Sequence, residues 1–247
     1  MWTTLLDEAP RFFGYYNLLF LGQAFAATAG LSLIGCAFGL AAGFGLALLR
    51  HARVSRFLPG RILTIVWVEL FRRIPFLVLL MCVFFACQLS GLDIGLFGVA
   101  LTTVTLSASA FSAENVRAGL EGVHRTQWDA AEAMNLSAWQ TLRSVVLPQA
   151  WPIIIPASMT FSVGLVKNTA IASQIGVLEL TYAAKVLNTK GFSAAICFGT
   201  ILVLYFVLCY GLSRSAEILQ RRLDPRRVPR AARGAELALA PATEAVR

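Results

Sequence analysis

The feature that most constrains this chain is a stretch of 38 residues between Arg11 and Arg50 that contains no charged side chain. Further uncharged stretches of 19, 20, 23 and 23 residues lie at 74–92, 94–113, 144–166 and 191–213. A membrane-spanning α-helix needs about 20 consecutive apolar residues. The sequence therefore predicts an all-α, polytopic membrane protein.

The composition excludes most classes of soluble protein. Apolar residues make up 57% of the 247 residues and charged residues 14%, against about 45–50% and about 25% in ordinary soluble domains. A soluble protein of this size would lack the polar residues to cover such a core. The five cysteines lie in apolar stretches without metal-ligand spacing, so we expect neither a metal site nor a disulfide framework.

The uncharged stretches place the membrane helices. We expect five of them, at roughly 20–49, 62–89, 94–113, 147–168 and 192–213. Within the first helix, Gly35, Gly39 and Gly43 recur every four residues. This spacing predicts a ridge of small residues on which another helix can pack closely.

These helices divide the chain into three parts. A short N-terminal segment, 1–19, precedes a membrane domain, 20–213, and a basic tail, 214–247, follows it. The Arg, Ala and Pro content of the tail predicts disorder. The stretch 169–190 is moderately apolar but carries Glu179 and two lysines. It can either re-enter the membrane from outside or lie along the membrane surface.

Lysine and arginine predict the orientation. With the N-terminus outside, the segments on the inner side carry 15 Lys and Arg residues, and those on the outer side carry three. Cytoplasmic loops of membrane proteins carry an excess of these residues. We therefore expect a periplasmic N-terminus and a cytoplasmic C-terminus in a bacterial inner membrane, with the loop 114–147 in the cytoplasm.

This cytoplasmic loop is patterned like a helix–turn–helix. Thr126 and Asp129 form a T-x-x-D capping arrangement, which predicts a helix over 127–134 with three alanines. Asn135 follows where a left-handed residue ends a helix. Ser137 and Gln140 form a second capping box, which predicts another helix from 138 to about 146, before Pro148.

The smooth alanine surface of the first loop helix favours docking of a cytoplasmic partner, because small residues allow close approach. A passive connector is the alternative. A DNA-binding role is disfavoured, because the helix over 127–134 carries two acidic residues and no Lys or Arg.

Two groups of charged residues lie at or near membrane depth, where each charge costs about 2.5–3.5 kcal/mol on insertion scales. Glu69 can pair with Arg72 or Arg73 on one helix, just before Pro75 breaks it. This group can brace a kink or line a path. Lys167 ends the fourth predicted helix. It can extend its ammonium to the outer interface or attract a substrate carboxylate.

The order of these motifs resembles the permease subunits of bacterial polar amino-acid ABC importers, of the histidine, glutamate, glutamine and arginine type. The resemblance covers roughly residues 15–215. The motifs that carry it are Asp129-Ala130-Ala131 with Asn135 and Leu147-Pro148, Glu114 with Arg117, Lys167-Asn168-Thr169, and Glu69 with Arg72 and Pro75. Two departures are Asn135 in place of a glycine and Ala170-Ile171 in place of Ser-Leu.

The resemblance implies the type I permease fold of ABC importers and a set of partners. They are cytoplasmic ATPase subunits, a second permease copy or paralogue, an extracytoplasmic amino-acid-binding protein and the lipid membrane, but no nucleic acid. The chain has no G-x-x-x-x-G-K-[ST] phosphate loop. We therefore expect a non-enzymatic chain without a cofactor of its own, with ATP and magnesium bound by the partner ATPase.

The resemblance also implies roles for individual residues. It assigns coupling to the ATPase to Asp129, Ala130, Ala131, Glu132 and Asn135, and the substrate path to Glu69, Arg72, Lys167, Asn168 and Thr169. The alternative is a secondary transporter or channel without an ATPase. Five helices without internal duplication fit that alternative poorly.

Overall fold

The computed structural model describes residues 8–51, 53–54 and 57–223, and this part of the chain is helical with no strand. The long helices are α1 (Tyr15–Arg50), α2 (Leu58–Arg73), α3 (Phe76–Leu89) and α4 (Gly95–Glu121). The loop helix α5 (Arg125–Ala133) and the short α6 (Ala138–Thr141) follow, and a π-helical turn (Leu142–Val146) leads into α7 (Leu147–Asn168). A 3₁₀ segment (Thr169–Ile175), α8 (Leu180–Thr189) and α9 (Ala194–Leu223) complete the order.

Four helical segments are long and apolar enough to cross a membrane, namely α1, α4, the segment Ala138–Ile175 and α9. The pair α2 and α3 raises the number to five if it counts as one broken span. The prediction of an all-α polytopic protein is confirmed. The helix α9 continues past residue 213, the predicted end of the membrane domain, to Leu223. Residues 1–7 of the predicted N-terminal segment and residues 224–247 of the predicted tail lie outside the described part.

The predicted span over 62–89 is present as a broken one, because the chain breaks at Ile74 and Pro75 and the axes of α2 and α3 differ by 114°. Ile74 adopts an extended conformation (φ −81°, ψ 128°), as the steric demand of a following proline favours. The predicted break at Pro75 is confirmed. The sequence does not indicate the angle between the two helices at this break, which turns α2 across the bundle.

The two halves of this broken span contact different parts of α4. Leu80 of α3 shares a buried apolar cluster with Val99 and Ala100, near the start of α4. On α2, the indole Nε1 of Trp67 donates a hydrogen bond to Ser109 Oγ over 3.1 Å. The helix α2 therefore crosses α4 on the side of the bundle where α1 ends at Arg50. We call this side the Arg50 end.

The predicted glycine ridge forms the contact between α1 and α4. A Cβ atom on Gly39 would lie 3.0 Å from the carbonyl carbon of Ala108, and one on Gly43 would lie 2.6 Å from the carbonyl oxygen of Ser109. Real Cβ atoms do not approach backbone atoms this closely. The missing side chains therefore let the two helix backbones touch.

The stretch 169–190 packs inside the bundle rather than along its surface. Four residues of α8 are fully buried and join one apolar cluster with residues of α1 and α9: Leu180, Ala183, Ala184 and Leu187. The backbone N–H of Leu180 donates to Thr28 Oγ1 of α1 over 3.1 Å. The buried carboxylate of Glu179 caps α8 and accepts a hydrogen bond from Tyr205 Oη on α9 over 2.6 Å.

Candidate functional site

The loop helix α5 begins two residues before the predicted start at Gln127. His124 is the N-cap residue, and its ring nitrogen Nδ1 accepts a hydrogen bond from the backbone N–H of Thr126 over 3.4 Å. The hydroxyl of Thr126 lies 2.8 Å from the same nitrogen. The predicted cap at Thr126 is therefore wrong, because the histidine ring takes the role that a serine or threonine oxygen usually fills.

The predicted end of α5 is confirmed. Asn135 has a φ of 56° and is the non-glycine residue with positive φ among those described. The N–H of Asn135 bonds to the carbonyl of Glu132 over 2.9 Å, and the N–H of Leu136 bonds to that of Ala131 over 3.1 Å. This is the Schellman pattern of helix termination. The capping box of Ser137 and Gln140 also forms as predicted.

The second loop helix does not end near residue 146. It continues through the π-helical turn, in which the N–H of Leu147 bonds to the carbonyl of Leu142, and enters α7 without a break. Pro148 has no N–H to donate, and its ring crowds the carbonyl one turn earlier. The wider turn relieves this crowding, so the loop is a rigid extension of α7.

One face of α5 is buried, and the rest of the helix is exposed. Trp128 and Ala131 are 7% and 3% exposed, and Trp128 packs with Leu142 and Val146 beneath the helix. Ala131 therefore faces the protein's own core, and its predicted position on a docking surface is wrong. Consecutive residues of a helix point about 100° apart, so Ala130 faces outward while Ala131 faces inward.

The outward side is a stripe of small and polar residues, which we call the docking face. Its members are exposed and recur at helical spacing: Thr126, Asp129, Ala130 and Ala133. The predicted coupling residues Glu132 and Asn135 are also exposed beside it. Asp129 additionally forms an ion pair with Arg53 over 3.1 Å, which attaches α5 to the chain following α1.

An aromatic contact strengthens this attachment. The ring of His51 stacks on Trp128 with centroids 4.9 Å apart, and the guanidinium of Arg53 lies 5.6 Å from the same indole. Burial lowers the pKa of His51, with the neighbouring charges of Arg53 and Arg61 acting in the same direction against that of Glu121. A neutral imidazole stacked on an indole suits this partly buried position.

The carboxylate of Glu114 on α4 forms ion pairs with arginines from three helices. Arg117 lies on the same helix and forms a two-pronged contact with its carboxylate. Arg50 of α1 approaches to 3.1 Å and Arg72 of α2 to 3.6 Å. The sequence motifs contain Arg72, Glu114 and Arg117, but nothing in their spacing indicates that Arg50 joins them.

This cluster changes the expected role of Arg72. Of the two predicted pairs on α2, Glu69 forms the one with Arg73, at 2.6 Å. Arg72 instead contacts Glu114 on another helix. The structure therefore places Arg72 in an ion-pair network at the Arg50 end, apart from the predicted path residues around Lys167.

Lys167 lies at the last turn of α7, where the α-helix gives way to the 3₁₀ segment. Leu165, two residues earlier, packs with Val104 and Ala108, close to the midpoint of α4. An ammonium at the outer interface is therefore disfavoured. Lys167 is exposed, and none of the ion pairs within the described part of the chain includes it.

The two residues after Lys167 differ from each other. Asn168 is half-buried, whereas Thr169 is fully buried. The hydroxyl of Thr169 donates to the carbonyl of Val166 over 2.7 Å. Thr169 is therefore not exposed in this structure, and its place on the path stays a prediction. Its hydroxyl instead satisfies a carbonyl at the helix break.

Two substitutions of Asn135 test the helix end. We expect Asn135→Gly to change the free energy of unfolding little, because glycine adopts positive φ freely. Asn135→Val should cost about 1–2 kcal/mol, because a side chain branched at Cβ is strained in the left-handed region. Thermal unfolding of the purified chain in detergent measures both. Equal stability of the two variants would contradict the left-handed cap.

Comparison with known proteins supports one family. The family described as the binding-protein-dependent transport system inner membrane component matches residues 35–228. A probable glutamine ABC transporter permease of Bacillus subtilis is 30% identical over 85% of this chain and 98% of its own length. A probable amino-acid ABC transporter permease of the same organism is 29% identical over 85% and 86%.

Solved structures agree with these relatives. The chain is similar to an amino acid ABC transporter crystallised with histidines, with a TM-score of 0.76 and 25% identity over 83% of this chain and 94% of the other. A methionine ABC transporter in an inward-facing conformation has the same fold, with a TM-score of 0.75 and 24% identity over 85% and 99%.

These findings confirm the resemblance seen in the motifs and the fold that it implies. They support a permease and not the alternative of a secondary transporter or channel. The family and the apolar helices together place the protein in the inner membrane as a multi-pass component. The chain belongs to the family of inner membrane components of binding-protein-dependent transport systems.

Proposed function

We propose that this chain is the permease subunit of an ABC importer for a polar amino acid. The observation that carries the substrate class is Lys167, an exposed cation without a carboxylate partner among the described residues, at a helix break halfway along the bundle. The two named Bacillus subtilis relatives are described as probable permeases for an amino acid and for glutamine. An α-carboxylate is common to all such substrates and is the natural counterion of an ammonium.

The orientation follows from where the arginines lie. Four arginines lie close together at the Arg50 end of the bundle: Arg50, Arg53, Arg117 and Arg125. An excess of arginine marks the cytoplasmic side of inner membrane proteins. The Arg50 end and α5 then face the cytoplasm. The N-terminus faces the periplasm, where an amino-acid-binding protein delivers the substrate, and the C-terminus is cytoplasmic.

Energy comes from partner ATPase subunits, which bind ATP and magnesium and dock on the docking face of α5. The contacts of α5 support a coupling role. Its ion pair with Arg53 ties it to α1, and Trp128 packs on the rigid extension of α7. A displacement of α5 would therefore move α1 and α7 together. A second permease copy or a paralogue completes the path through the membrane.

We assign direct substrate contact to Lys167 and Asn168. A charged side chain at this depth costs about 2.5–3.5 kcal/mol on insertion scales, and the substrate carboxylate offsets part of that cost during passage. Glu69 lies beside the break at Ile74 and is held by Arg73, so it is the second candidate for the path. Thr169 positions the helix break rather than the substrate.

Replacement of Lys167 tests this proposal. In proteoliposomes that contain the complete importer, we expect Lys167→Ala to lower amino-acid uptake at least about tenfold, since the loss of one charge-assisted contact weakens binding by about this factor. Lys167→Arg should retain part of the activity. Association with the ATPase should persist in both variants.

The matched control is Lys190→Ala, which removes an exposed lysine that lies over the ring of Phe20. Uptake by this variant should equal that of the unmodified importer. Unchanged uptake and half-saturation in Lys167→Ala would refute the substrate-binding role of this lysine.

A further inference from the structure

A polar cavity lies at the Arg50 end of the bundle, away from Lys167. It has a volume of about 490 Å³, within the range of about 300–1,000 Å³ typical of ligand pockets. Residues from the ends of α1, α2, α4 and α5 line it. Five of the lining residues are arginines and one is a carboxylate: Arg50, Arg53, Arg61, Arg117, Arg125 and Glu121.

The positive charge of this cavity is only partly neutralised within the chain. Glu114 pairs with Arg50 and Arg117, Glu121 also pairs with Arg117, and Asp129 pairs with Arg53. Arg125 is 83% exposed and approaches Asp129 only to 3.9 Å. The guanidinium of Arg61 donates through Nε to the carbonyl of Arg50 over 3.1 Å. No carboxylate among the described residues pairs with it.

An unsatisfied polar atom lies in the same cavity wall. The ring nitrogen Nδ1 of His51 is buried and has no hydrogen-bond partner in the described structure. A buried polar atom without a partner is rare and costs free energy. Because this nitrogen has almost no accessible surface, a ligand in the cavity reaches it only if the imidazole ring turns. The excess of cationic donors by itself suits an anion with several acceptor oxygens.

The helix α2 gives the cavity a membrane side. Arg61 and Ile65 of α2 line the cavity. The next residue after each, Ile62 and Val66, is apolar and exposed on the neighbouring side of the same helix. Because α2 is bent 114° from α3, this apolar stripe runs across the bundle. It can therefore lie along the membrane boundary beside the acyl chains.

We propose that this cavity binds the phosphate of an anionic phospholipid. The arginines hold the phosphate oxygens, while the acyl chains follow the apolar stripe of α2. Basic pockets between helices on the cytoplasmic side bind such headgroups in membrane proteins. The bound anion neutralises the arginines that join α5 to the end of α1. The site does not depend on the substrate proposed for Lys167.

The test measures lipid binding to the full chain in detergent by native mass spectrometry. We expect phosphatidylglycerol to bind more tightly than zwitterionic phosphatidylcholine. Arg61→Gln and Arg125→Gln should each weaken phosphatidylglycerol binding about fivefold, the effect of one arginine near an anionic headgroup. Arg61→Lys should retain most of the affinity, because it keeps the charge.

The matched control is Arg143→Gln, which removes an exposed arginine from the same loop region outside the cavity. Arg125 is exposed, so its variant also reports on the site if Arg61→Gln fails to fold. Equal binding of phosphatidylglycerol by the two cavity variants and the control would overturn the proposal. If glycerol 3-phosphate or inorganic phosphate binds in a way that depends on Arg61, and no lipid is retained, the ligand of the cavity is not a phospholipid.

Discussion

Ala130→Arg should leave the chain inserted and folded but prevent its association with the ATPase. Ala130 is exposed on the docking face of α5, and arginine is a good helix former, so the helix itself should persist. A long cationic side chain at a close-packed contact displaces the partner. We expect at least about a tenfold loss of affinity, equal to about 1.4 kcal/mol, and uptake should fall in proportion.

The experiment is co-purification of the tagged chain with its ATPase subunits, combined with uptake in proteoliposomes. Ala130→Ser is the control, because it keeps a small side chain at this position. This variant should bind the ATPase and transport normally. Ala131→Arg does not serve as this test, since Ala131 is buried against the protein's own core. Normal ATPase binding by Ala130→Arg would show that α5 is a passive connector.

Gly39→Leu should have the largest effect on stability. A Cβ atom at this position meets the backbone of Ala108 at 3.0–3.1 Å, and backbone atoms cannot move aside as a flexible side chain would. Overpacking of this kind costs about 3 kcal/mol or more. In a chain of this size that corresponds to a fall in the apparent Tm of roughly 6–12 °C.

Gly45→Leu is the matched control on the same helix. A Cβ atom on Gly45 has no neighbour within 4 Å, so the leucine side chain extends freely from the bundle surface. Thermal unfolding in detergent should show Gly45→Leu at or above the Tm of the unmodified chain. A similar loss of stability in both variants would mean that helix composition, and not the contact with α4, sets the effect.

The loop shows how far local patterns reach. The cap of Ser137 and Gln140 and the left-handed Asn135 were predicted, because each depends on neighbouring residues and their hydrogen bonds. The start of α5 was predicted two residues late. A histidine ring caps this helix, whereas the residues that usually cap helices are serine, threonine, aspartate and asparagine. The inward face of Ala131 depends on packing beneath the helix.

The charged residues show the same limit. Spacing along one helix correctly paired Glu69 with Arg73. It also offered Arg72 as a partner, but the contact of Arg72 with Glu114 crosses between α2 and α4. Arg50 joins the same carboxylate from 64 residues away. Contacts of this kind have no signature in local spacing.

The sequence by itself determined that the protein is helical, polytopic and membrane-embedded. The length of an uncharged apolar run is a local property, and a run of about 20 residues matches the thickness of the bilayer's hydrocarbon core. It also determined where the chain breaks, at Pro75, and where the loop helix α5 ends. The tertiary structure alone decided the 114° turn of α2, the depth of Lys167, the free face of α5 and the arginine-lined cavity. Each of these depends on which distant helices touch, and such contacts, like the close approach of α1 and α4 at Gly39 and Gly43, involve residues far apart in the sequence.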